Sequence, residues 1–241
     1  MRRILITGSN RGIGLELVRH YLLQDDTLIF ATCRNPSHAT DLQAVATQYP
    51  NRVHIVQLDV IDQASIDKSL ATVSQLVDGL DMLINNAGIL PGGVDARDKN
   101  ISAFGLLEAD AMLNVFRVNS ISPIMVTQAY ADLLRNGINT RVINVSSDAG
   151  SITRRSQGCD YSYPSSKAAL NMMSRCLAGD LRADNIIVIS IHPGFIQTDM
   201  GGVNAPLTLD EALPSLVQTI DGLTLDDSGQ FFNWDGNQVA W

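Results

Sequence analysis

Short apolar runs alternate along the chain with longer stretches in which apolar residues recur at every third or fourth position. Residues 4–6, 27–33, 53–58, 80–84, 141–145, 185–191 and 229–233 read as strands, the sixth rich in β-branched side chains as a central parallel strand is. Helical periodicity occupies 15–22, 41–48, 63–77, 163–182 and 209–220, and a long apolar helix is expected over 102–134 with a break near Pro123. The polar, glycine-rich stretch 91–100 reads as a surface loop, and 201–206 is loose enough in composition to be a lid within a substrate loop at about 195–210. Strand and helix in alternation predict an α/β fold, a single-domain doubly wound parallel sheet over 1–241.

Glycines after the first strand are spaced Gly8-x-x-x-Gly12-x-Gly14, and Leu15, Leu17, Val18, Tyr21 and Leu22 continue at helical spacing. Strand, glycine-rich turn and helix form the phosphate-binding opening of a nucleotide-binding Rossmann fold. Glycines let the backbone bend sharply and let a pyrophosphate approach the helix N-terminus, where free N–H groups favour negative charge. The end of the second strand faces the adenosine ribose in such a fold. It holds Cys33 and Arg34 rather than a carboxylate, with Arg11 inside the glycine turn. Two guanidinium groups favour the 2′-phosphate of NADP over NAD. The plainer alternative for Arg34 is a solvated surface charge.

Tyr163 and Lys167 stand four residues apart in Tyr-Pro-Ser-Ser-Lys at the head of an apolar helix, so both project from one face. A phenol of pKa near ~10 is a poor acid–base catalyst at neutral pH, and a neighbouring ammonium lowers that value. A shift of about three units needs roughly 4 kcal/mol of preference for the phenolate. One close cation supplies an effect of about 4 kcal/mol at an effective dielectric near 20. Alone, the spacing also suits an ordinary exposed pair.

Composition narrows the function. The 241 residues carry 45% hydrophobic and 17% charged side chains with a formal net charge of −8, and no Lys/Arg block exists. A broad basic face for nucleic acid or anionic membrane is therefore excluded. Gly8 interrupts the N-terminal apolar run too early for a signal peptide, no stretch approaches eighteen apolar residues, and the chain reads as soluble and cytoplasmic. Cys33, Cys159 and Cys176 lack Cys-x-x-Cys spacing and are expected to be buried and inert. The four histidines lack metal-ligand spacing, so no metal site is expected.

The glycine spacing taken with Tyr163 and Lys167 resembles the short-chain dehydrogenase/reductase family, as do Asn85-Asn86-Ala87-Gly88 after the fourth strand, Asn119, Ser146-Ser147 and Pro193-Gly194 with Thr198. The ending 233–241 resembles that of the carbonyl reductases related to sniffer and to bacterial C-factor. The resemblance implies sheet order 3-2-1-4-5-6-7. It places Gly8, Asn10, Arg11, Gly12, Ile13 and Gly14 on the pyrophosphate, and Arg34 on the ribose phosphate. Asp59 and Val60 would meet the adenine, and Asn86, Ala87 and Gly88 would lie beside the cofactor. Pro193, Gly194 and Thr198 would meet the nicotinamide end, and Tyr163 and Lys167 its ribose. The alternative for Asp59 is a helix cap, and for Asn119 a satisfied core side chain. Catalysis would fall to Tyr163 as general acid, Ser147 (rather than Ser146) on the carbonyl oxygen, Lys167 lowering the phenol's pKa and Asn119 holding a water. The implied activity is NADP(H)-dependent reduction of a ketone or aldehyde, a small-molecule substrate; a 3-oxoacyl or steroid compound is a variant of it. Phe195, Met200, Trp234 and Trp241 suit either an apolar pocket or the core. The rival reading is a nucleotide-binding signalling protein of C-factor type. A homodimer or homotetramer through the two long helices is also implied.

Overall fold

The first strand, β1 (Arg2–Ile6), shows how the chain makes two cores at once. Successive side chains of a strand point to opposite faces. Ile4 and Ile6 accordingly join one apolar cluster and Leu5 the other, all with no exposed surface. The computed structural model describes residues 1–91, 103–158 and 160–241. β2 (Thr27–Cys33), β3 (Val53–Gln57), β4 (Met82–Asn85), β5 (Arg141–Val145), β6 (Ile187–His192) and β7 (Phe231–Asn233) complete one sheet in the order β3-β2-β1-β4-β5-β6-β7. Every neighbouring pair is parallel.

Helices α1 (Gly12–Tyr21), α2 (Thr40–Gln48) and α8 (Leu209–Gly222) cover one face through Leu17, Leu42 and Leu216. On the other lie α3 (Gln63–Ser74), α5 (Ser122–Ala129), α6 (Ala131–Arg135) and α7 (Ser162–Leu181), through Ile66, Val126, Leu134 and Leu181. β1 pairs with β2 on one side and β4 on the other, so the strand order reverses there. Ligands of such sheets bind in the crevice at the carboxyl ends of these strands.

The helix expected over 102–134 is shorter and interrupted. It begins with α4 (Ala109–Phe116), passes through a π-helical turn at Arg117–Ile121 and continues as α5 and α6. Pro123 has no N–H to give the turn before it, and the wider turn relieves its ring from the carbonyl four residues back. Ser102, residues 92–100 of the expected loop, and Cys159 lie outside the described residues. Cys33 is buried as expected, but Cys176 is exposed, because it sits on the outer side of α7 next to exposed Arg175. The loop before α8 is less loose than its composition suggests. Gln197 N–H donates to the Leu207 carbonyl at 2.8 Å and Leu207 N–H to that of Phe195 at 3.2 Å, pinning its neck. No helix is long and apolar enough to cross a membrane, and no metal-binding group of His, Cys, Asp or Glu occurs, among the described residues.

Asp81, at the foot of β4, accepts from the Arg3 Nε at 3.0 Å and Nη2 at 2.8 Å, the Arg3 backbone N–H at 2.7 Å and the Ile138 N–H at 2.7 Å. Burial raises its pKa, but these donors outweigh burial and hold the carboxyl below its ordinary 3.8. A depressed folded-state value means stability that is full above the unfolded pKa and lost as pH falls through the folded one. Asp81→Asn is expected to cost about 3–5 kcal/mol at neutral pH, and to flatten the acid limb of the stability curve. Urea unfolding at neutral and acid pH checks both; an unchanged neutral midpoint would contradict the assignment.

Candidate active site

The glycine turn joins β1 to α1 against the end of β4. Gly8 has φ +68°, a left-handed conformation, and a Cβ there would stand 3.0 Å from the Ala87 Cα. A Cβ on Gly14 would overlap the Gly8 carbonyl oxygen at 2.3 Å and the Asn86 Nδ2 at 2.5 Å. Asn86 braces this approach, its Nδ2 donating to the carbonyls of Thr7 at 2.9 Å and Gly8 at 3.1 Å. The Thr7 Oγ1 in turn accepts the N–H groups of Asn86 and Ala87, each at 3.0 Å. At the N-terminus of α1 no side chain caps the first N–H groups and no acidic residue stands in the first turn. An uncapped N-terminus behind a turn with no room for a Cβ at Gly14 fits a pyrophosphate.

Around that turn the predicted residues take distinct places. Asn10 and Arg11 are exposed and Ile13 packs on the core. Arg11 makes an ion pair with Asp199 at 2.9 Å, tying the glycine turn to the loop after β6. Thr198 faces the turn from that loop, its Cγ2 3.7 Å from where a Gly12 Cβ would be. Pro193 and Gly194 follow β6, and Gly194 lies tight against Leu207 and Trp234. Arg34 is exposed at the end of β2, after buried Cys33. Asp59 folds its own turn, Oδ1 accepting the Ile61 N–H at 3.2 Å, and the cap of α3 is Asp62 instead. Val60 beside it is buried in the core.

Tyr163 is half-buried at the start of α7, while Lys167, one turn on, is only 3% exposed. The Lys167 Nζ donates to the Val145 carbonyl at 2.7 Å and stands 5.7 Å from the centre of the Tyr163 ring. It also lies 3.8 Å from where a Gly88 Cβ would be, so the pair abuts the Asn85–Gly88 turn and, through Asn86, the glycine turn. The Ser147 side chain stands near enough to the Tyr163 hydroxyl to lower the phenol's pKa. Ser146 points elsewhere, its Oγ donating to the Asn171 Oδ1 at 2.6 Å. The buried Asn119 amide is engaged at both ends. Its Oδ1 accepts the Ile89 N–H at 2.8 Å, and its Nδ2 donates to the Ile89 carbonyl at 2.9 Å and the Ser166 Oγ at 3.1 Å. Its side chain thus anchors the segment after Gly88, as a satisfied core side chain does.

The electrostatics correct one expectation. Burial pushes the Tyr163 phenol up to about 12; the Ser147 hydroxyl lowers it, and the charges of Asp148 and Asp160 raise it further. The Lys167 ammonium, turned to the Val145 carbonyl and 5.7 Å from the ring centre, does not offset this rise. Burial also brings Lys167 down to about 8. The phenol is therefore fully protonated at neutral pH, a state suited to giving a proton rather than taking one.

Three nearby groups carried no signal of function in the sequence. Asp160 Oδ1 accepts the N–H groups of Ser162 at 2.8 Å and Tyr163 at 3.2 Å, fixing the start of α7. Asp148 accepts from the Ser147 Oγ at 3.4 Å and faces the His192 Nε2 at 3.6 Å. Burial lowers the His192 pKa, and Asp148 counters it.

Residues 2–206 match the family model described as short chain dehydrogenase. The chain is 33% identical over 255 residues to an uncharacterized oxidoreductase of Schizosaccharomyces pombe, covering 98% of this chain and 96% of that one. It is 38% identical over 162 residues to the C-signal of Myxococcus xanthus, 67% of this chain and 93% of that protein. The carbonyl reductase Sniffer of D. melanogaster superposes with a TM-score of 0.92 at 35% identity, covering 100% of both chains. An NADPH-bound carbonyl reductase from chicken fatty liver does so with 0.91 at 36%, covering 100% of this chain and 99% of that one. Glycine turn, seven-stranded parallel sheet and these likenesses agree, and the chain belongs to the short-chain dehydrogenase/reductase family of oxidoreductases.

Proposed function

We propose that the protein is an NADPH-dependent carbonyl reductase acting on a ketone or aldehyde. The observation that carries this reading is the protonated Tyr163 phenol, set beside Ser147 and with Lys167 against the Gly88 turn. The likeness to reductases named for carbonyl substrates, one of them with NADPH bound, supports it. When bound, the dinucleotide supplies a hydride to the carbonyl carbon. The residues of the glycine turn hold its pyrophosphate, and Asn86 to Gly88, Pro193, Gly194 and Thr198 shape the cleft at its far end. Ser147 steadies the carbonyl oxygen, and Tyr163 gives that oxygen its proton as charge develops. The Lys167 ammonium keeps the surroundings of the phenol positive and is placed to bind the ribose. A phenol held protonated favours reduction over the reverse reaction, which needs a base.

NADP rather than NAD follows from Arg34. Arg11 is shared with Asp199, whereas the residue after Cys33 is Arg34 rather than a carboxylate that would repel a 2′-phosphate. A charge-assisted contact contributes about 1.5–3 kcal/mol, so Arg34→Ala is expected to weaken NADPH at least about tenfold and NADH little. Titration with both cofactors checks this, and equal weakening of the two would contradict it.

Likeness to the C-signal keeps a second reading, nucleotide binding without turnover. Purified protein, NADPH and a panel of aldehydes, diketones and quinones, followed at the reduced-nicotinamide absorbance, separates the two. Oxidation of NADPH coupled to alcohol formation supports the reductase; saturable binding with no oxidation across the panel supports the other. Self-association through the outer faces of α4 and α7 is proposed with either, from exposed Leu113 and Met172; a monomer in sedimentation would contradict it.

A further inference from the structure

Residues 237–241 turn back on the sheet's last strand and then cross to the loop that follows Ser147. The Val239 N–H donates to the Phe231 carbonyl at 2.8 Å and the Asn233 N–H to that of Asn237 at 2.7 Å, closing an antiparallel return on β7. Beyond it, two carbonyls are given to the other loop. The Ser151 Oγ, in a residue 1% exposed, donates to Ala240 at 2.6 Å, and the Thr153 N–H donates to Trp241 at 2.8 Å. The Trp241 ring stacks on Phe231 with centroids 5.7 Å apart, and the Arg175 guanidinium stands 5.4 Å from its centre. Arg175 is twelve residues, about 18 Å, along α7 from Tyr163. Trp241 is thus anchored on the sheet edge and the helix.

What the tail holds is the turn that carries Ser147. That turn, Asp148–Gly150, is closed by the Gly150 N–H on the Ser147 carbonyl at 2.9 Å and the Ser151 N–H on that of Asp148 at 3.0 Å. Its other side presses on the lysine: a Cβ on Gly150 would stand 2.8 Å from the Lys167 carbonyl carbon and Cβ. The turn is therefore gripped between the Lys167 backbone and the tail.

We infer that Trp241, with Ala240 and Ser151, is a positioning element that sets Ser147 relative to Tyr163. This rests on the reductase reading of the same site. The glycine turn and Arg34 lie at the other end of the cleft, so the tail should govern turnover and leave dinucleotide affinity alone. A small displacement of a reacting group far from a mutation costs up to about a hundredfold in rate.

The test compares wild type, Trp241→Ala, Trp241→Phe and Ser151→Ala for kcat and KM on a carbonyl substrate, NADPH Kd, and hydrogen exchange of 148–155. Expected are a fall in kcat of about tenfold or more in Trp241→Ala and Ser151→Ala, an unchanged NADPH Kd, faster exchange of 148–155, and recovery of most of the rate in Trp241→Phe, which keeps a ring on Phe231. Wild-type kcat in Ser151→Ala, or NADPH affinity lost in step with kcat, would overturn the inference, and Ser151→Ala decides it should Trp241→Ala fail to fold. Wild-type protein that oxidises no NADPH would instead sink the reductase reading, and the exchange measurement then decides the tail's grip on the turn by itself: unchanged exchange overturns it.

Discussion

Tyr163→Phe is expected to bind NADPH as the wild type does and to lose about 10²–10⁴-fold in turnover. Phenylalanine keeps the ring beside Lys167 and removes only the hydroxyl that meets Ser147. The start of α7 is held by Asp160 on backbone N–H groups, so it does not depend on that hydroxyl. The loss falls on kcat because a general acid acts as charge develops on the carbonyl oxygen, and ground-state binding of the dinucleotide does not use it. A variant with weakened NADPH and a preserved kcat would mean that the hydroxyl binds cofactor rather than moving a proton.

Gly14→Ala is expected to abolish measurable NADPH binding and to lower stability by about 3 kcal/mol or more. The added carbon would meet the Gly8 carbonyl oxygen and the Asn86 amide nitrogen, both well inside contact distance. Neither can yield cheaply. Gly8 is itself held in a left-handed conformation, and Asn86 is spent on the carbonyls of Thr7 and Gly8. Relief requires α1 to move off β1, which spoils the uncapped N-terminus offered to the pyrophosphate. Cofactor titration and thermal unfolding of the variant check the two halves. An alanine protein with wild-type affinity would show that the turn is not the cradle.

The sheet was legible because its strands are short apolar runs separated by helical periodicity, while its strand order came from the family resemblance. The π-helical turn at Arg117–Ile121 was not legible, since one added residue per turn hardly disturbs an apolar pattern. Its consequence, the Asn119 amide delivered onto Ile89, joins residues thirty apart and has no local signature. Tyr163, Lys167 and Ser147 were readable from spacing and resemblance. The charge on the phenol was not, because spacing shows that a lysine is near and not that its ammonium is committed to Val145. Asp160 could have been found, as an aspartate just ahead of an apolar helix is a capping signal. Asp148 and His192 could not, for they meet only where β5 and β6 end side by side.

The most direct test of the proton's source is a single turnover of NADPH-loaded protein mixed with an accepted carbonyl, in water and in deuterium oxide. Wild type should slow in deuterium oxide, and Tyr163→Phe should react far more slowly with that solvent effect gone. Equal solvent effects in the two proteins, or equal rates, would mean that the proton comes from somewhere other than Tyr163.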